Sequence, residues 1–283
     1  MSDQVQTEPP IRDSVLLIPG LCGTYRELGA IPKVLEDSGY HVAIAEIPGY
    51  ADNKGPINWV DWLNELESQY MALAESSNSV MIVGLSMGAT LALKLAQRHD
   101  DIDGVVLLSP VLRYDGWSTP FYHGLIRLAY WIGFRNWSWR EKAPYGIANP
   151  ELRKRVQKAV EKGDPSEVGA AFISARHMSA AQSLMHEVRL WLGHVHSPLL
   201  AIHAVDDETA APRNTEEILL RISSETRRVI WLGDSYHIIT VDNEREVVVN
   251  ETNRFLDDCR QRALSKGSFR ERARTLRMKD RRS

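Results

Sequence analysis

The chain has 283 residues, 43% hydrophobic and 25% charged, a balance that supplies a large apolar core and excludes a disordered body. Its net charge of −3 is unevenly spread: residues 259–283 carry ten Lys and Arg against Glu271 and Asp280, a net +8, which leaves −11 on the remainder. An acidic body excludes a nucleic-acid-binding core, which would need Lys and Arg gathered on its own surface, so only the tail is suited to polyanions.

Residues 1–12 are polar, include Pro9 and Pro10, and lack a basic stretch followed by an apolar one. They are expected to form a disordered lead and not a secretory signal. No apolar run approaches the ~18 residues that cross a bilayer. Two cysteines, Cys22 and Cys259, cannot make a disulfide framework, so a reduced, cytoplasmic setting is expected.

From residue 13 the chain alternates. Val15-Leu16-Leu17-Ile18, stopped by Pro19-Gly20, reads as a strand buried on both faces of a parallel sheet. The same signature recurs in HVAIAEI from His41, SVMIVG from Ser79, GVVLLSP from Gly104, PLLAIHA from Pro198 and RRVIWLG from Arg227. Helical spacing fills the intervals at Leu28 to Asp37, Trp59 to Ala74, Ala89 to Arg98, Thr215 to Ile222 and Glu244 to Cys259. Strand and helix in alternation predict an α/β fold with a mainly parallel sheet of about six strands, its site at the carboxyl ends of the strands. The alternation fails over 111–197, which is expected to be an inserted helical cap. The core is thus assigned to 13–110 and 198–258, with a basic tail at 259–283.

The segment VMIVGLSMGATLALKLA carries Gly84-Leu85-Ser86-Met87-Gly88 between a strand and a helix, the context that a G-x-S-x-G turn requires. A serine held on so sharp a turn leaves no room for a β-carbon on its glycine neighbours, and its Oγ is driven outward. The positive end of the following helix favours negative charge developing nearby. The competing reading is a helix-capping serine after a glycine turn. Cys22, in an open loop without comparable strain, is the weaker candidate nucleophile.

A serine hydroxyl needs a base to take its proton and a third group to orient that base. After the fifth predicted strand comes HAVDDETAAP, holding Asp206 and Asp207, and after the sixth comes GDSYHIIT, holding His237. Of nine histidines, His237 alone follows the last core strand with a serine and an acid already upstream. His194, His196 and His203, with Asp206, form a rival metal-ligating set, but no compact ligand pattern such as H-E-x-x-H accompanies them. No cofactor or metal is expected.

With LIPGLCG, GLSMGA, DDETAAP and SYHIITVDNE in this order, the chain resembles the α/β-hydrolase superfamily over about residues 13–257, and most of all its small bacterial carboxylesterases and monoacylglycerol-lipase-like members. The resemblance implies an α/β-hydrolase fold and the catalytic triad Ser86, Asp207 and His237. The acid falls on Asp207 and not Asp206, because Glu208 and Pro212 then fit the D-E-x-x-x-P form of the acid loop. By position, the backbone N–H groups of Leu21 and Met87 form the oxyanion hole. Two departures are local: Tyr236 stands where the family usually has glycine before the histidine, and Pro19-Gly20 where it often has His-Gly. Tyr236 is expected to be a bulky residue tolerated in its loop.

The implied function is hydrolysis of carboxylic esters of hydrophobic acyl groups, of medium size, in a small-molecule substrate, through an acyl-enzyme. The same machinery suits a thioesterase, amidase or peptidase, because a triad specifies acyl transfer and not the leaving group. A non-catalytic ligand-binding module on the same fold is the rival from another class, and peroxidase chemistry would be a side reaction only. Trp117, Trp131, Trp137, Trp139 and Trp191, with Phe121, Tyr122, Tyr130, Phe134 and Tyr145, make the expected cap aromatic, suited both to holding it on the core and to an acyl pocket. The basic tail is expected to be solvated, with weak contact to anionic membranes as its alternative.

Overall fold

The computed structural model describes residues 12–51, 55–118, 138–140, 143–162 and 172–266. The main sheet has six strands, all parallel, in the order β2-β1-β3-β4-β7-β8: β1 (Arg12–Ile18), β2 (His41–Ile44), β3 (Ser77–Leu85), β4 (Gly104–Leu108), β7 (Leu199–Ala204) and β8 (Arg227–Leu232). Between them run α1 (Ile31–Asp37), α2 (Trp59–Ser76), α3 (Met87–Ala96), α5 (Ala175–Leu190), α6 (Arg213–Arg221) and α7 (Arg245–Lys266).

The continuous apolar runs explain why these strands are central. Alternate residues of each strand point to opposite faces, so Leu16, Ile18, Ile82, Val105, Leu107 and Leu199 meet α2, α3 and α5 in one core. Val15, Leu17, Met81, Val83, Val106 and Leu200 meet α1 and α7 in the other. Every residue of α3 is buried, because this helix has the sheet on one side and α2 and α5 on the other. Leu→Ala at such a position, Leu91 or Leu93, costs about 2–5 kcal/mol.

Four features differ from the sequence reading. α5 lies within the stretch expected to be cap, yet Ala181, Leu184, Met185 and Val188 belong to the same core cluster as Leu91, which makes it a core helix. The segment expected to be a helical cap contains a short antiparallel pair, β5 (Ser138–Arg140) with β6 (Phe172–Ser174), besides helix α4 (Pro150–Lys162). The last helix continues to Lys266, beyond the expected start of the tail, whose remainder from 267 lies outside the described residues. β8, read as buried on both faces, is an edge strand on which Val229 and Trp231 are exposed.

The chain reverses its direction of build-up between β1 and β3: β2 is added on one side of β1, and β3 and the later strands on the other. The loops after β1 and β3 therefore flank the crevice where parallel sheets of this kind bind ligands.

Candidate active site

Ser86 sits between the last residue of β3 and the first of α3, with φ 57° and ψ −118°, a backbone conformation that a non-glycine residue holds at a cost of about 1–3 kcal/mol. The surroundings enforce it. A β-carbon at Gly84 would stand 2.3 Å from the Gly88 carbonyl oxygen, and one at Gly88 would stand 2.3 Å from that of Ile18 and 2.4 Å from that of Pro19. The two glycines thus let α3 start hard against both β3 and the end of β1, and the Ser86 N–H is held by the Leu108 carbonyl at 2.8 Å. Strain here is an observed outlier in a G-x-S-x-G turn, where it presents the side chain to the crevice.

Ser86 Oγ lies 2.7 Å from His237 Nε2, and His237 Nδ1 lies 2.7 Å from Asp207 Oδ2. The three sequence candidates are therefore brought into one hydrogen-bonded chain from the ends of β3, β7 and β8. His237 is only 5% exposed and Asp207 2%. Because a carboxylate only accepts, Nδ1 carries the proton and Nε2 is free to accept the serine's. Asp207 Oδ1 accepts the N–H groups of Thr209 and Ala210, each at 2.8 Å. Burial by itself would raise the Asp207 pKa, but His237 and His203 beside it more than offset this and hold the carboxyl well below the usual range.

Asp206, its neighbour, is exposed, and its carbonyl accepts the Trp117 indole N–H at 3.1 Å. Glu208, by contrast, is 3% exposed, and its Oε2 accepts the His237 N–H at 3.2 Å. Burial pushes the Glu208 carboxyl above the usual range, with the nearby Asp207 charge adding to that, against the opposing pull of His237.

The loop after β1 runs beside the nucleophile, since a β-carbon at Gly20 would lie 3.7 Å from that of Ser86. Tyr50, buried under it, donates its hydroxyl to the Pro19 carbonyl at 3.0 Å, while its own carbonyl accepts the Cys22 N–H at 3.2 Å. Leu21 is held between these two anchors. Met87 is the first residue of α3, so its N–H has no acceptor within the helix. Leu21 thus follows Gly20 on the loop beside Ser86, and Met87 follows Ser86 directly at the start of α3. Cys22, the weaker candidate nucleophile, is 4% exposed and packed into the loop with φ 58°.

The histidines weighed as metal ligands are dispersed. His194 and His196 are exposed, whereas His203 is fully buried on β7 with its ring nitrogens against Thr215 Oγ1 and the Ala210 carbonyl. Among the described residues no three His, Cys, Asp or Glu side chains gather as a ligand set.

Sequence reasoning missed the clamp behind His237. Asp242 is fully buried, and its carboxylate accepts four backbone N–H groups, those of Ala148 (2.7 Å), Asn149 (2.9 Å), Tyr236 (2.9 Å) and Asn243 (3.0 Å). It binds the histidine loop to the start of α4, and the Ile238 N–H adds a 2.8 Å bond to the Gly146 carbonyl. Tyr236 lies edge-on to Trp117 and under the Arg153 guanidinium at 5.7 Å, so the residue expected to be merely tolerated joins the segment after β4, the histidine loop and α4. Of the aromatic residues expected to line the cap, Trp131, Trp137, Phe121, Tyr122, Tyr130 and Phe134 and the Trp139 side chain lie outside the described residues. Trp191, half exposed, packs against His194.

A six-stranded parallel sheet with a strained serine turn at its crevice is the architecture of an α/β hydrolase. The chain belongs to the family described as serine aminopeptidase, S33, whose profile matches residues 9–245. It is 24% identical over 246 residues to a thermostable monoacylglycerol lipase of Bacillus sp. (strain H-257), covering 85% of this chain and 89% of the relative. To a carboxylesterase of Bacillus subtilis (strain 168) it is 23% identical over 250 residues, 86% of this chain and 92% of the relative. Among solved structures it is similar in fold to the monoacylglycerol lipase of Paleococcus ferrophilus, with a TM-score of 0.73, 20% identity, and 87% and 94% of the two chains covered.

Proposed function

We propose that the protein hydrolyses carboxylic esters of hydrophobic acyl groups through a serine-bound acyl intermediate. Ser86 Oγ attacks the ester carbonyl as its proton passes to His237 Nε2, and the oxyanion that forms is met by the N–H groups of Leu21 and Met87. Collapse breaks the bond to the leaving oxygen, which takes the proton back from His237 and departs as an alcohol. Water then surrenders a proton to the same nitrogen and attacks the acyl-enzyme, freeing the acid and restoring Ser86. Asp207 keeps the proton on Nδ1 throughout and stabilises the imidazolium that forms twice per cycle.

The single observation that carries this reading is the continuous chain Ser86–His237–Asp207, with both links at 2.7 Å and the serine on a strained turn. The similarity to a monoacylglycerol lipase and a carboxylesterase favours an ester substrate.

The family description favours a second reading, removal of an N-terminal amino acid from a peptide. That reaction calls for a carboxylate free to hold the substrate's ammonium group near the triad. Glu208 is committed to the His237 N–H and the Thr209 hydroxyl, and Asp242 to four backbone donors, so these buried acids are already spent on the protein itself. Turnover of p-nitrophenyl esters from acetate to palmitate, beside a matched thioester and an amino-acid p-nitroanilide, decides between them. Preference for the anilide, or no turnover of any ester, would overturn the ester assignment.

A further inference from the structure

We propose that His203 is a positioning residue for the triad acid, a second imidazole that donates to Asp207 from behind and is itself oriented by Thr215. The inference deepens the proposed triad and rests on it.

His203 is on β7 and 0% exposed. The strand ends at Ala204, and the turn that follows brings Asp207 back over it, so that His203 Nε2 lies 3.2 Å from Asp207 Oδ2 and 2.8 Å from the Ala210 carbonyl oxygen. Both neighbours are acceptors, so the hydrogen-bond network assigns a proton to Nε2. The Ala210 carbonyl takes the hydrogen bond from that N–H, and Asp207 Oδ2 lies against the same nitrogen as the farther acceptor. At the other side of the ring, Nδ1 lies 2.7 Å from Thr215 Oγ1, whose hydroxyl donates to it. Thr215 is fully buried on α6, so the ring is held from the helix as well as the strand.

The oxygen that His203 touches matters. Oδ1 of Asp207 is anchored by two backbone N–H groups of its own loop, but these leave Oδ2 to be located by whatever lies against it. Only imidazoles do so among the contacts above: His237 Nδ1 at 2.7 Å and His203 Nε2 at 3.2 Å. The His237 ring is the group that the carboxylate has to orient, so it cannot be the fixed reference. His203 can, because it is rooted in a strand that is paired on both sides, with β4 and β8. The result is a line of five side chains, Thr215–His203–Asp207–His237–Ser86, in which the last three do chemistry and the first two set the angle at which Asp207 receives the base. By sequence His203 groups with a rival metal-ligating set; the geometry gives it a different use.

Removing this donor has an electronic as well as a geometric effect. The titratable side chains bearing on the Asp207 carboxylate are His203, His237 and Glu208. With one fewer donor Asp207 becomes a better acceptor for the His237 imidazolium, so His237 gives up its proton less readily, and the acid limb of kcat/KM moves to higher pH. A residue needed only for packing would change stability and not that limb.

The test uses the full chain, a soluble p-nitrophenyl ester and the variants H203L, H203Q and T215V, with S86A and D207N as references. H203L is expected to lose kcat by about 10- to 100-fold, the range seen when the outer partner of a metal-bound histidine is removed. Its KM should stay close to that of the unmodified protein, and its acid limb should shift upward. H203Q, which keeps an N–H donor, should recover most of the loss, and T215V should show the same shift in smaller measure. An H203L protein that is folded and has unchanged kcat and acid limb overturns the inference, as does equal loss in H203L and H203Q with the limb unmoved. If H203L fails to fold, T215V decides, and an unmoved limb there is equally fatal. Activity surviving in S86A would instead overturn the triad itself, so the two failures are told apart.

Discussion

Replacing Asp207 by Asn changes one atom and should remove almost all activity. The Asn carbonyl oxygen can keep the two N–H bonds now made by Oδ1 from Thr209 and Ala210, each 2.8 Å long, only by turning its NH2 group toward His237. That NH2 would donate to Nδ1, force the proton onto Nε2, and leave nothing on the ring to accept a proton from Ser86. Turning the amide the other way restores the productive tautomer but sets an NH2 against two buried N–H groups. Each orphaned donor costs about 1–3 kcal/mol, so the productive orientation lies about 2–6 kcal/mol higher. At about 1.4 kcal/mol per decade this alone slows turnover between about 30-fold and about twenty-thousand-fold. The lost anion weakens the imidazolium as well, and the expected total is about ten-thousand-fold, the size known for the same change in a serine protease triad. The assay is kcat on a soluble p-nitrophenyl ester, with Asp206→Asn as control. Asp206 is exposed and contributes its carbonyl to Trp117, so that variant should stay within about two-fold, as surface changes do. A D207N protein keeping a tenth of its activity, or a D206N protein falling further, would refute the reasoning.

Gly88→Ala places a β-carbon 2.3–2.4 Å from the Ile18 and Pro19 carbonyls, so α3 must draw back from the first loop. Turnover should drop by about 100- to 1000-fold, the cost of one oxyanion donor, and unchanged kcat would contradict the placement of Met87. Glu208→Gln tests linkage by thermal unfolding across pH. A folded-state pKa above the unfolded one means that the native protein binds more protons, so Glu208 costs stability as pH rises from the unfolded carboxylate pKa through the raised one. The Tm of E208Q relative to the unmodified protein should therefore improve from acid to neutral pH, and a constant difference would count against the burial cause. For Asp207 the sign is opposite: its depressed pKa adds stability that is complete above the unfolded carboxylate range and lost only in stronger acid. Ending the chain after Lys266, the last described residue, should leave soluble-ester turnover intact while abolishing any salt-sensitive binding to anionic vesicles. Loss of turnover in the folded, shortened protein would make the tail part of the working unit.

The parts of this site that sequence reveals are those whose causes are local. Gly84 and Gly88 flank Ser86 within five positions, and their meaning is steric: each approaches backbone too closely for a side chain. The buried strands were readable because both faces of the sheet are covered, which turns each into an unbroken apolar run. What escaped depends on distant partners. Asp242 looks like an ordinary loop acid, yet it holds Ala148 and Asn149, more than ninety positions earlier, and backbone donors leave no mark in sequence. His203 and Asp207 are four apart, a spacing that on a strand would separate them; the turn after Ala204 brings them within 3.2 Å. α5 reads as part of the cap because no long buried apolar run precedes it, and its small-residue stripe at Ala180 and Ala181 acquires meaning only once α3 is seen beside it. β8 shows the converse error, an apolar run at the sheet's edge that is covered on only part of its length.

The most direct test of the account is covalent trapping of the nucleophile. The full chain is treated with a fluorophosphonate, and the adduct is located by peptide mass spectrometry, in parallel with S86A. The account predicts one phosphonyl group per chain, carried on Ser86, with loss of ester turnover in step with labelling, and no adduct in S86A. An unlabelled protein that nevertheless hydrolyses esters, or an adduct that persists on another residue in S86A while activity survives, would contradict it.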